Sequence, residues 1–177
     1  MVMAQDTTRY GYDLYGELRL PQLIHQLAGI EGIEWIRLMY CYPDRFTDEL
    51  IETMRQEPKV CKYIDLPLQH ADNKILKEMN RRGTIEEAEM LIGKLRAAMP
   101  DITLRTTMIT GFPGESEQEF QTLVDFIERV QFDRLGVFAY SQEENTPAGQ
   151  REDQILPEVR EQRRERIMQL QQETSLK

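Results

Sequence analysis

Gly111-Phe-Pro-Gly-Glu-Ser116 is the segment of this sequence best suited to hold a ligand. It follows a strand-like apolar run and opens a helical pattern. Gly111 and Gly114 let the backbone approach a bound group closely, and helix-start amides suit an anion. No Lys-Ser/Thr pair follows, so it is not a Walker loop. The competing reading is a tight strand-to-helix turn. His70, closing Pro67-Leu-Gln-His70, has the chemistry of a general acid or base, or of a structural hydrogen-bonder. Tyr140 and Ser141 end another run and suit a purine or a ribose; otherwise they pack at a rim. Cys41 and Cys61 sit in no evident basic cluster and at no helix start, so they read as buried or neutral thiols. With His25 and His70 they are the only soft metal ligands, scattered along the chain, and this spacing argues against a metal site.

These positions lie where strands end. Short apolar runs occur at Glu34–Tyr40, Cys61–Pro67, Ile102–Thr110 and Arg134–Tyr140, and Met1–Ala4 reads as the end of another strand. Helical patterns alternate with them. One has Leu18, Leu20, Leu23, Ile24 and Leu27 on one face, and another has Leu50, Ile51 and Met54. A short helix covers Asp72 to Met79. Two capping boxes follow, Thr84 with Glu87 and Ser116 with Glu119. The first precedes an apolar face of Ala88, Leu91, Ile92 and Leu95. The second precedes Phe120, Leu123, Val124 and Ile127. Strands alternating with helices imply an α/β fold with a parallel sheet and right-handed crossovers, whose ligands sit at strand carboxyl ends. Arg37, Asp65 and Arg105 fall within strands. A doubly covered sheet would be nearly all apolar, so a (β/α) barrel or partial barrel is favoured over a doubly wound sheet.

Beyond Gln142 the composition changes. Glu143 to Leu156 reads as a polar loop and Pro157 to Lys177 as a final helix. Val159, Ile167, Met168 and Leu170 are its apolar positions. Arg160, Arg163, Arg164 and Arg166 alternate with Glu158, Glu161 and Glu165, the pattern of a solvated face laced with ion pairs.

The 177 residues are 40% hydrophobic and 30% charged, with a formal net charge of −9. This is a globular composition, and its acidity argues against binding nucleic acid through the whole surface. No apolar run approaches a membrane span of about 20 residues, and no secretory signal pattern follows Met1, so a cytoplasmic protein is expected. Two cysteines cannot form a disulfide scaffold.

Several ordered motifs resemble the radical S-adenosylmethionine methylthiotransferases. They are Gln5-Asp-Thr-Thr-Arg-Tyr-Gly-Tyr-Asp-Leu-Tyr-Gly16, Trp35–Tyr40, Ile64–His70, Leu76–Arg82, Gly111–Glu115 and Phe132–Glu143. The Gln5–Gly11 and Tyr140–Glu143 segments are similar to the members that modify an aspartate of small-subunit ribosomal protein 12; the tRNA-directed members are the alternative. A cluster-less barrel that binds a nucleotide or a partner is another. The resemblance implies a TIM-like partial barrel, of which Met1 to Gln142 would supply about strands two to six. It implies S-adenosylmethionine and two 4Fe–4S clusters in a complete protein. The radical formed from the cofactor would abstract hydrogen from the aspartate β-carbon before sulfur and methyl are delivered. Carried over by position, Gly111, Phe112, Pro113, Gly114, Glu115, Tyr140 and Ser141 would hold the cofactor. Gln69, His70, Gln5, Arg37 and Arg105 would line the cavity. The Cys-x3-Cys-x2-Cys motif of the family is absent, as are its amino-terminal and TRAM domains. The chain alone is therefore expected to hold no cluster and to be inactive, with an open sheet edge beside Met1–Ala4 that invites self-association.

Overall fold

A computed structural model describes residues 1–176. The chain divides into two compact units, Met1–Pro67 with Glu86–Arg105, and Leu68–Ile85 with Thr106–Lys177. In chain order the helices and strands are α1 (Tyr12–Tyr15), α2 (Leu20–Ala28), α3 (Asp48–Gln56), β1 (Tyr63–Gln69), α4 (Asn73–Glu78), α5 (Ile85–Ala98), β2 (Thr103–Thr110), α6 (Glu117–Val130), β3 (Arg134–Ala139) and α7 (Pro157–Ser175). The strands are parallel and hydrogen-bond in the order β1-β2-β3. Lys177, which the sequence pattern includes in the last helix, lies outside the described residues.

In the first unit the parallel pattern continues beyond the named strands. The Val2 N–H donates to the Arg37 carbonyl at 2.8 Å, and the Ile36 N–H donates to the Lys59 carbonyl at 2.8 Å. The two stretches expected as strands at Met1–Ala4 and Glu34–Tyr40 are present as single parallel bridges, Val2 with Leu38 and Ile36 with Val60. The second stretch ends where Tyr40 enters the left-handed region at φ +54°, which turns the backbone out of the ladder. Leu20 and Ile24 of α2, Leu50 and Met54 of α3, and Leu91 and Leu95 of α5 are buried, as are Ile64 and Leu104. These faces follow the helical spacing of the sequence.

In the second unit the Tyr140 N–H donates to the Thr110 carbonyl at 2.8 Å and extends the pairing of β3 with β2. α6 buries Phe120, Leu123, Val124, Phe126, Ile127 and Val130. Its start is the expected capping box: the Ser116 hydroxyl accepts from the Glu119 N–H, and the Glu119 carboxylate accepts from the Ser116 N–H at 2.6 Å. Asp72 caps α4 by accepting from the Lys74 and Ile75 amides. Glu143 to Leu156 holds no helix or strand.

α7 departs from expectation. Arg160 and Arg163 are each only 8% exposed, so they do not belong to a solvated face. Arg164 keeps the expected exposed pair, with Glu161 at 2.6 Å. Met168, expected among the apolar positions, is 42% exposed. The buried stripe runs Arg160, Arg163, Ile167, Leu170 and Gln171. These are helical spacings, so the arginines extend the stripe begun by Ile167 and Leu170.

The α6 cap gives the fold a defined acid sensitivity. Burial pushes the Glu119 carboxyl up, but hydrogen bonds from Lys74 and Ser116 outweigh this and hold it at about 2, against an ordinary 4.5. A depressed carboxyl stabilises the folded state above its unfolded value, and that contribution is lost as pH falls from about 4.5 toward 2. Thermal melts across this range are expected to show a shallower acid decline for Glu119→Gln than for the parent chain. Parallel declines would contradict this role.

Candidate functional site

The carboxyl ends of β2 and β3 are both in the second unit. Gly111 leaves β2 at φ +73° and Gly114 follows at φ +78°, backbone shapes that strain other residues. The intervening turn is closed from within. The Gly111 N–H donates to Glu115 Oε2 at 2.9 Å. The Glu115 N–H donates to the Phe112 carbonyl at 3.0 Å, and the Gly114 N–H to the Asp153 carbonyl at 3.0 Å. The Ser116 and Glu119 amides are used by the capping box. The Gly111, Gly114 and Glu115 amides thus have acceptors within the chain, supplied by Glu115, the 143–156 loop and Phe112.

Glu115 is 1% exposed. Its Oε1 accepts from Arg163 Nη1 at 2.7 Å, and its carbonyl accepts from the same nitrogen at 2.9 Å. His70, 0% exposed, lies against the other oxygen: Nε2 is 3.3 Å from Glu115 Oε2, off the hydrogen-bonding direction, so this nitrogen has no hydrogen-bond partner. Its Nδ1 accepts from the Asp72 N–H at 3.0 Å, so Nδ1 carries no proton and a neutral ring bears its proton on Nε2, toward the carboxylate. His70 is thus fully buried, with Nδ1 accepting the Asp72 amide and Nε2 facing the Glu115 carboxylate.

Tyr140 completes this group. Its ring meets Phe112 edge-on with centroids 5.4 Å apart, and its hydroxyl is buried without a hydrogen-bond partner among the described residues. The Ser141 hydroxyl is exposed and donates to Glu143 Oε1 at 2.9 Å. Pro113 is buried in the turn. Gln69, the last residue of β1, is half-buried and adopts φ +76°. A non-glycine residue in that region marks a strained strand end. The structure therefore groups Gly111 to Glu115 with His70 and Tyr140, with Gln69 and Ser141 at neighbouring strand ends of the same unit.

Gln5, Arg37 and Arg105 belong to the first unit. Gln5 and Arg37 are exposed. The Arg37 guanidinium lies 4.7 Å from the centre of the Tyr63 ring. Arg105 pairs with Asp65, whose side chain is fully buried and also accepts from the Tyr40 N–H at 3.3 Å. Asp65 shapes its surroundings electrostatically. Burial, and then the charge of Asp65, push the Tyr63 hydroxyl above its ordinary pKa. Burial foremost, then Asp65 and Asp6, push the Cys41 thiol up to about 12. Among the described residues, no three His, Cys, Asp or Glu side chains converge to hold a metal.

Sequence reasoning missed Arg160 and Arg163. The signal was present in the stripe that Ile167 and Leu170 define, which reaches both positions when continued toward the helix start.

A sheet of parallel strands with helices between them and polar residues at the strand ends is a frequent setting for cofactor chemistry. The chain belongs to the radical SAM superfamily, whose family model matches residues 2–127. Its architecture is that of a partial α/β radical SAM barrel. It is similar to the ribosomal protein uS12 methylthiotransferase RimO of Desulfitobacterium hafniense, with 69% identity over 171 residues, 97% of this chain and 38% of that protein. RimO of Heliobacterium modesticaldum is 57% identical over 99% of this chain and 38% of its own length. The chain thus spans about two fifths of the length of these curated relatives. Among solved structures, coproporphyrinogen III oxidase (HemN) from Escherichia coli superposes with a TM-score of 0.67 at 16% identity, covering 88% of this chain and 36% of that one. The radical S-adenosylmethionine methyltransferase TsrM from Kitasatospora setae gives 0.59 at 17% identity, covering 73% of this chain and 26% of that one.

The two thiols differ in a way that titration can read. Cys41 is 0% exposed with its thiol pushed to about 12, whereas Cys61 is half-buried. A thiol-reactive dye at mildly alkaline pH is expected to label only Cys61 in the folded chain, and both cysteines in denaturant. Rapid labelling of both without denaturant would refute this packing.

Proposed function

We propose that this chain forms the cofactor-facing strand ends of a cytoplasmic methylthiotransferase acting on an aspartate of ribosomal protein uS12. The observation that carries the reading is the 69% identity to a relative of that name across 97% of the chain. S-adenosylmethionine, bound to an iron–sulfur cluster, would supply the hydrogen-abstracting radical and the methyl group.

The residues present fit the nucleoside part of that cofactor. The Tyr140 hydroxyl is a buried polar atom with an unfilled bond, and Phe112 stands beside it as an aromatic wall. Gln69 and Ser141 would add polar contacts at their strand ends. Gly111 to Glu115 would act as a ledge, because the Gly111, Gly114 and Glu115 amides already have partners within the chain. His70 and Glu115 would hold that ledge and keep water out of it. The cluster does not fit this chain's own residues. Three cysteines would be needed, and the sequence has two, Cys41 and Cys61.

A chimera tests the reading. The 171 aligned residues of this chain would replace the matching segment of the Desulfitobacterium hafniense relative, and the reconstituted protein would be offered uS12 and tRNA. Mass spectrometry is expected to find a methylthio group on the uS12 aspartate alone. Modification of tRNA instead, or a folded, cluster-loaded chimera that leaves uS12 unmodified, would overturn the proposal.

A further inference from the structure

Arg160 and Arg163 stand three residues apart on α7, so their side chains leave the same helix face. They reach two different strand ends. Arg160 donates from Nη1 to the Tyr140 carbonyl at 3.0 Å, after β3, and from Nε to the Ile155 carbonyl at 2.7 Å. Its stem lies directly on the turn after β2: a Cβ at Gly111 would come within 2.3 Å of Arg160 Cγ. Arg163 grips the other end of that turn through the Glu115 carbonyl and carboxylate. The Thr110 hydroxyl donates to the Arg160 carbonyl at 3.3 Å, which adds a link from β2 to the helix backbone.

We propose that Arg160 and Arg163 are positioning residues that fix the strand ends after β2 and β3 relative to each other. The proposal rests on the cofactor reading above, which assigns both ends to the nucleoside. Two features distinguish this role from simple packing. A buried guanidinium is costly to desolvate, and well-packed apolar side chains often stabilise as well or better. What the planar fork adds is direction, with several donors in fixed geometry. Here donors go to the Tyr140 and Glu115 carbonyls at the two strand ends, beside the Ile155 carbonyl, the Gln154 amide oxygen and the Glu115 and Glu117 carboxylates, so they set backbone position. The second feature is the missing side chain at Gly111, which gives the Arg160 stem room against the turn.

The test uses the 177-residue chain with S-adenosylhomocysteine as probe, since that molecule carries the nucleoside and needs no cluster. Amide exchange would be followed at Gly111, Gly114 and Tyr140, with Met108 of β2 as the internal reference. Arg160→Lys and Arg163→Lys keep the charge and lose the fork. Each is expected to speed exchange at the strand ends, leave Met108 unchanged, and weaken probe binding about tenfold, the size of one charge-assisted hydrogen bond. Should a lysine variant fail to fold, the paired Glu115→Gln, Arg163→Met chain leaves no buried unpaired charge and is expected to loosen the same amides. Exchange that rises equally at Met108, or strand ends and binding unchanged from the parent, would overturn the proposal. Absence of probe binding by the parent chain would instead defeat the cofactor reading, and the exchange comparison would still decide the positioning role.

Discussion

The arrangement depends on one buried ion pair, between Glu115 and Arg163. A carboxylate taken out of water is tolerable only when its lone pairs are matched by donors. Glu115 obtains a guanidinium on one oxygen and the Gly111 amide on the other, with the His70 ring alongside. Each partner comes from a different place in the chain: the end of β1, the end of β2, and α7. Satisfying a single charge therefore draws a strand end, a turn and a distant helix into one geometry. The turn's glycines allow that convergence, since a side chain at either would collide with the groups that close over it.

The same economy explains the acidic chain's use of arginine. Several of its ion pairs are exposed on both sides, such as Arg55 with Glu52 and Lys94 with Asp48, and pairs of this kind contribute little to stability. Arg163 differs by being buried with its partner, and Arg160 by spending its donors on carbonyls and an amide rather than on an acid. Charge count alone does not separate these roles; position on the helix does.

Much of the fold was legible because period and caps leave marks in sequence. The Ser116–Glu119 box, the short helix after Asp72 and the apolar faces of α5 and α6 appear where spacing puts them. The run at Glu34–Tyr40 was legible as an extended segment but not as to its pairing, which is limited to two bridges with partners far away in the chain. The turn after β2 was found, yet its internal closure was not, because the Asp153 carbonyl that takes the Gly114 amide is supplied by a loop with no pattern of its own. Arg160 and Arg163 of α7 were misread because composition identifies charge and says nothing of whether that charge is buried. Tyr140 was picked out as a strand-end aromatic; that its hydroxyl is left unfilled is a fact of packing alone.

The contact between Gly111 and Arg160 has an evolutionary consequence. A Cβ at position 111 would meet not only Arg160 Cγ but also its Cβ at 2.8 Å and its Cα at 3.1 Å. Shortening residue 160 to alanine would leave those two contacts and the φ of +73° in place, so position 111 stays confined to glycine. Drift at these two positions should thus be one-sided, with the helix residue free to vary and the turn residue held fixed.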